Sequence, residues 1–282
     1  MNQSSILDRI IRRNNVCISG QGDRAVMFVH GLGCDQRMWR YVAPTFEVDF
    51  KVILMDLSGC GRSDLSAFDL DRYSNLEGYA QDILEVIAAL DLQDVVFVGH
   101  SVSIMLGAIA SIRQPEKFSK LIMVAPSPCY LNYPPDYLGG FDREDIEELL
   151  DLMDKNYMGW ASFLAPLAID YCPSPELAQE LESSFCSTDP ITAKAFAKAT
   201  FYADCRSLLP EIVTPCLVMQ CSEDALVPEP VGEYLHHHIP KSSYIKLTAT
   251  GHCPHLSQPV ETAAFIRSYI SASMANTVSR QI

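Results

Sequence analysis

A chain of 282 residues with 48% hydrophobic content is long for one domain and short for two full ones, so one large α/β domain carrying an insertion is the expected organisation. A formal net charge of −14, with no basic stripe to meet phosphates, argues against nucleic acid as a partner. No apolar run reaches the roughly 20 residues that a membrane-spanning helix needs.

Residues 1–13 place apolar side chains at helical spacing and contain no signal-peptide core, which predicts a short surface helix. Val16-Cys17-Ile18 reads as an opening strand. Ala25-Val26-Met27-Phe28-Val29 is a continuous apolar strand closed by His30-Gly31-Leu32-Gly33. A strand ending in a small-residue turn leaves backbone N–H groups free to face an anion, and the expected donor here is the N–H of Leu32. A short helix is expected over 38–46, a strand over 51–55, a Gly/Ser-rich turn over 56–64 and a helix over 76–90.

The apolar run Val95-Val96-Phe97-Val98 then feeds Gly99-His100-Ser101-Val102-Ser103, and a helical run follows from Ile104. Strand, sharp turn and helix in that order are the setting of a nucleophile elbow, with Ser101 at its tip. The N–H of Val102 is the expected second oxyanion donor. Ser103 stands where the usual G-x-S-x-G pattern has glycine. A further strand is expected over 121–124. The alternation of strands and helices predicts right-handed βαβ units and a mostly parallel sheet. Ligand sites lie at the carboxyl ends of such strands.

At Pro126 the pattern breaks. Four prolines and Gly139-Gly140 mark a linker, and only helical segments follow to about Ala203. An all-helical insert between two strands predicts a cap. The expected division is core over residues 1–130, cap over 131–205 and core again over 206–282. Strands resume at 216–221 and 244–247, and a closing amphipathic helix over 259–273 precedes a frayed tail from Ala275.

A serine hydroxyl needs an adjacent base, and the base needs a carboxylate to hold its tautomer. The chain order nucleophile, acid, histidine selects Ser101, Asp224 and His252 as the candidate triad. Glu223 is the competing carboxylate. Asp224 is preferred because an acid-loop stretch ending in Val227-Pro228 follows it. His100 is expected to point away from the pocket, and His255 to be structural. His236-His237-His238 cannot converge on one ion, since adjacent helical residues point in different directions, so no metal site is expected. Acyl transfer by such a triad requires no metal or organic cofactor. The ten cysteines, Cys17, Cys34, Cys60, Cys129, Cys172, Cys186, Cys205, Cys216, Cys221 and Cys253, lack C-x-x-C spacing and are expected as reduced, mostly buried thiols of a cytosolic protein.

The motifs resemble those of the α/β-hydrolases. More narrowly, the chain resembles the RsbQ-like bacterial stress regulators and, next to them, the plant strigolactone and karrikin receptors. The segments that carry this likeness are Gly33-Cys34-Asp35-Gln36, Tyr79-Ala80-Gln81-Asp82, Pro126-Ser127-Pro128-Cys129-Tyr130-Leu131-Asn132, Phe185-Cys186-Ser187-Thr188-Asp189-Pro190 and Gly251-His252-Cys253-Pro254-His255-Leu256. Ser103 is closer to the plant-receptor elbow. The resemblance implies an α/β-hydrolase fold with a four-helix V-shaped cap over an apolar pocket. Trp160, Phe163 or Leu164, and Phe201 become candidates for its wall. It also implies hydrolysis of a small hydrophobic ester or lactone, with a signalling role through a PAS-domain phosphatase of the RsbP type. The alternatives are a ligand sensor acting by protein contact and a metabolic esterase or enol-lactonase.

Overall fold

The computed structural model describes residues 3–169 and 175–278. Its strands are β1 (Cys17–Ser19), β2 (Ala25–Val29), β3 (Lys51–Met55), β4 (Val95–His100), β5 (Phe118–Val124), β6 (Cys216–Gln220) and β7 (Ser242–Lys246). They form one sheet in the order β1-β3-β2-β4-β5-β6-β7. Only β1 runs antiparallel to its neighbour. The mostly parallel sheet expected from the βαβ alternation is therefore present.

β2 and β4 are buried at every position, which is why they read as unbroken apolar runs rather than alternating ones. Alternate residues serve opposite faces. Met27, Val29 and Phe97 pack with α2 (Leu76–Ala89) and α3 (Ser103–Arg113). Val26, Phe28, Val96 and Val98 pack with Trp39, Phe46 and the closing helix, through its Ile266 and Ile270. The N-terminal helix α1 (Gln3–Arg13) lies against the first face through Ile10. Residues 38–46, expected as one helix, instead make two 3-10 turns, Gln36–Trp39 and Ala43–Phe46. Pro44 lacks the N–H that one continuous helix would require of it.

The chain leaves β2 for β3 on one side and returns to β4 on the other. The connections therefore diverge between β2 and β4, the place where parallel sheets open a crevice at their carboxyl ends. His30-Gly31-Leu32-Gly33 and Ser101 follow these two strands directly.

Over that edge sit four helices inserted between β5 and β6: α4 (Arg143–Lys155), α5 (Tyr157–Ile169), α6 (Pro175–Ser187) and α7 (Pro190–Phe201). Asp142 caps α4 through a reciprocal bond with Asp145, and Asp189 caps α7 by accepting from the N–H groups of Ile191 and Thr192. Their apolar faces join Cys34, Met38, Tyr130 and Leu226 of the core in one cluster. This is the helical cap.

The remaining helices are α8 (Glu229–His238), α9 (Pro254–Ser257) and α10 (Pro259–Val278). The tail expected to fray from Ala275 is helical through Val278, and residues 279–282 lie outside the described residues. Among the described residues no helix is long and apolar enough to cross a membrane. The nine described cysteines are free and seven of them are buried; Cys172 lies outside the described residues.

Candidate active site

Ser101 sits between β4 and α3 with a φ of +57°, in the left-handed region that costs a residue with a Cβ about 1 kcal/mol or more. The surroundings enforce this turn. A Cβ on Gly99 would lie 2.9 Å from the backbone of Ile104, so strand and helix can approach this closely only with glycine there. A Cβ on Gly31 would lie 2.8 Å from His100 Nδ1 and 3.1 Å from Ser101 Cβ. Ser103, the departure from the elbow pattern, is fully buried. Its Oγ accepts from the His100 N–H at 2.9 Å and lies 2.9 Å from the Val29 carbonyl, tying the elbow to the end of β2. Serine at this position is thus small enough for the turn and adds a tether.

His252 Nε2 is 2.7 Å from Ser101 Oγ, and His252 Nδ1 is 2.8 Å from Asp224 Oδ2. Asp224 Oδ1 accepts from the N–H groups of Leu226 (2.8 Å) and Val227 (3.1 Å), which leaves Oδ2 aimed at the imidazole. The Asp224 side chain is completely buried, whereas Glu223 is exposed. A carboxylate only accepts, so His252 carries its proton on Nδ1 and presents a lone pair on Nε2. The loops bearing these residues are tied together, since the Gly251 N–H donates to the Glu223 carbonyl at 2.6 Å. The His252 N–H donates to Ala168 of α5 at 2.7 Å, which links the histidine to the cap. The three residues selected by chain order are therefore linked through His252 in one hydrogen-bonded chain.

The turn after β2 is held by His30. Its Nε2 accepts from the Leu57 N–H at 3.0 Å, so its Nδ1 donates to the Gly31 carbonyl at 2.8 Å. Asp56 steadies the next segment by accepting from the Gln36 N–H at 2.8 Å. Neither the Leu32 N–H nor the Val102 N–H has an acceptor among the described residues. Two unspent donors at the end of neighbouring strands suit an oxyanion.

A cavity of about 30 Å³ lies over Ser101, lined by Leu32, Tyr130, Leu164, Phe185, Phe201 and Leu226 among others. Of the four wall candidates, Leu164 and Phe201 line it; Trp160 and Phe163 do not. Trp160 is buried inside the cap between Tyr157 and Phe185 (ring centroids 5.4 and 5.1 Å), and Phe185 presents the aromatic face in its place. Phe163 is 56% exposed and lines a separate surface groove with Phe141, Leu149 and Leu152. Phe163 and Leu164 are adjacent on α5 and so point in different directions, whereas Trp160, one turn before Leu164, shares its side of the helix and is taken up by packing inside the cap.

His100 also differs from expectation. It is among the cavity residues, and its Nε2 donates to the His252 carbonyl at 2.8 Å. His255 stacks behind it, 4.4 Å from His100 and 4.6 Å from Trp39 between ring centroids. The three histidines of α8 turn to separate partners: His236 to Ser242, His237 to the Glu233 carbonyl and His238 to the Tyr234 carbonyl.

Among the cavity residues that sequence reasoning missed, two carry hydroxyl groups, Tyr130 and Thr200. Tyr130 Oη lies 2.9 Å from Ser101 Oγ, and Tyr130 is held by an edge contact with Phe201 at 5.4 Å. Its position six residues past the end of β5, itself beside β4, was the available signal. Thr200 Oγ1 is buried in the wall with no hydrogen-bond partner among the described residues.

Burial pushes the imidazoles of His30, His100 and His255 below the usual range, His255 to about 3. For His100 the neighbouring imidazoles His255 and His252 add to the effect of burial. These groups stay neutral in the folded protein while the unfolded chain protonates them near pH 6.5. Below that pH the unfolded state binds more protons, so stability falls with acidification. His255 is expected to cost roughly 2 kcal/mol between pH 6.5 and 5, and His30 and His100 act in the same direction. Urea unfolding at pH 7 and pH 5 checks this, and a midpoint at pH 5 equal to or above that at pH 7 contradicts it.

Residues 26–265 match the alpha/beta hydrolase family. The strigolactone esterase D14 of Arabidopsis thaliana is 37% identical over 268 residues, covering 95% of this chain and 98% of that protein. The karrikin insensitive 2 receptor CA of Petunia hybrida is 40% identical over 247 residues, covering 87% and 91%. The solved structure of a hydrolase from Oleispira antarctica superimposes with a TM-score of 0.92 at 48% identity, covering 94% of this chain and 97% of that one. With the sheet order, the elbow and the inserted cap already described, these matches place the chain in the alpha/beta hydrolase family.

Proposed function

We propose that this hydrolase cleaves a small, mostly apolar ester or lactone, with Ser101 as nucleophile, His252 as general base and acid, and Asp224 as the carboxylate that orients and charge-stabilises His252. The observation that carries the reading is the unbroken contact from Asp224 Oδ2 through His252 to Ser101 Oγ, at 2.8 and 2.7 Å. His252 Nε2 takes the Ser101 proton as Oγ attacks the carbonyl carbon. The N–H groups of Leu32 and Val102 hold the resulting oxyanion. His252 then protonates the leaving oxygen, and the same steps with water as nucleophile release the acid. In a lactone the leaving oxygen stays tethered to the acyl group.

The cavity's apolar wall and small volume favour a compact substrate, because about 30 Å³ holds little more than one or two waters. A substrate must therefore displace side chains of the wall. The unpartnered hydroxyl of Thr200 offers a hydrogen bond to a second oxygen of that substrate. Hydrolysis of p-nitrophenyl butyrate and p-nitrophenyl decanoate tests the reading. The butyrate is expected to turn over and the decanoate to be poor; no turnover of either by the parent protein overturns the assignment.

A second reading, in which the protein's output is a signal, is favoured by the receptor function named for relatives such as the petunia protein, and the resemblance to RsbQ-like regulators makes a PAS-domain phosphatase the partner to test. In a bacterial reporter strain for stress sigma-factor output that carries such a phosphatase, the parent is expected to restore output and Ser101→Ala to fail. Normal output from Ser101→Ala would show that binding, not hydrolysis, is the signal.

A further inference from the structure

Hydrogen-bond accounting around Ser101 leaves a role for Tyr130. Asp224 fixes the proton of His252 on Nδ1, so His252 Nε2 must accept the single proton of the Ser101 hydroxyl. The contact of 2.9 Å between Ser101 Oγ and Tyr130 Oη then has one remaining direction: the Tyr130 O–H donates to Oγ. Tyr130 is 4% exposed, and Ser101 is the one hydrogen-bond partner of its hydroxyl among the described residues.

We infer that Tyr130 is a further catalytic residue, one that acts on the acyl-enzyme and keeps it short-lived. This rests on the assignment of Ser101 as nucleophile. Once Oγ is acylated it becomes an ester alkoxy oxygen, a much weaker acceptor than a hydroxyl. The buried phenol is then left poorly satisfied, and a stranded buried donor raises the energy of the state that strands it. That state is the acyl-enzyme. In deacylation water adds to the acyl carbon and gives its proton to His252 Nε2. The tetrahedral intermediate collapses as the bond between carbon and Oγ breaks and its electron pair moves to Oγ, which takes the proton back from His252. Tyr130 regains its acceptor as negative charge grows on Oγ. It keeps its own proton throughout, and burial, which disfavours the phenolate, pushes its pKa up accordingly.

The interaction is thus strong in the free enzyme and in the departure of Oγ, and weak in the acyl-enzyme between them. Such a group restrains acylation slightly and accelerates release. It sets how long the acyl group stays covalently attached to Ser101.

The test compares the parent with Tyr130→Phe, which removes only the hydroxyl and keeps the ring against Phe201. With p-nitrophenyl butyrate, Tyr130→Phe is expected to show a nitrophenol burst approaching one per active site. Its steady-state kcat is expected to fall about tenfold, with KM falling in parallel and kcat/KM within about threefold of the parent. Intact-mass spectrometry of acid-quenched samples should show the butyryl increment on Tyr130→Phe and none on Ser101→Ala. Parent turnover with an unchanged kcat in Tyr130→Phe, or a loss of kcat and kcat/KM together without the butyryl mass, overturns the role of Tyr130 alone. A parent that neither releases nitrophenol nor gains the butyryl mass overturns the hydrolase reading and the tyrosine assignment with it.

Discussion

Ser101→Ala is expected to reduce kcat for p-nitrophenyl butyrate by roughly 10⁶-fold, the scale of loss when a triad nucleophile is removed. The reason is the division of labour within the contact chain. His252 and Asp224 have no proton to move once Oγ is gone, so their contributions vanish with it rather than persisting as separate factors. The fold should survive. The substitution removes one atom, and alanine carries the same Cβ through the φ of +57° that serine already tolerates. The strain is held by Gly99, Gly31 and the Ser103 tether, none of which depends on Oγ. Steady-state hydrolysis with a thermal unfolding curve on the same preparation checks both halves. Equal rates for variant and parent would sink the nucleophile assignment.

Asp224→Asn should cost about 10⁴-fold in kcat while changing KM little. The side-chain carbonyl of asparagine can keep both backbone donors, Leu226 N–H and Val227 N–H, that now bind Oδ1. Its amide N–H₂ then faces His252 Nδ1, which can only accept from it. The imidazole proton is forced to Nε2, where it meets the Ser101 hydroxyl as a donor instead of receiving its proton. Geometry is kept and the tautomer is wrong. Glu223→Gln is the matched control. Glu223 is exposed, and its contribution to the site is the carbonyl that accepts from Gly251, which the substitution leaves in place. Activity within about twofold of the parent is expected for the control, on the scale of surface substitutions. A large loss in Glu223→Gln together with an active Asp224→Asn would reverse the choice of acid.

Much of this protein was determined by its sequence. Short β-branched apolar runs bounded by turns, such as Val95–Val98, have no polar face to give to solvent and suit central strands. The small residues around Ser101 record a turn that larger side chains would block, and the order Ser101, Asp224, His252 follows the ends of β4, β6 and β7 along the chain. These are local or ordinal properties, set by chain geometry over a few residues. What only the tertiary structure decided is which side chains from distant segments meet. Trp160 and Phe163 are as apolar as Leu164, but the packing of α5 against the rest of the cap puts one inside the cap, one on the surface and one over Ser101. His100 faces the His252 carbonyl because Gly31 leaves room for its ring. Tyr130 reaches Ser101 because its loop crosses the mouth of the sheet between Phe201 and the elbow. No periodicity encodes such contacts, because they depend on how separately folded elements dock through close-packed side chains.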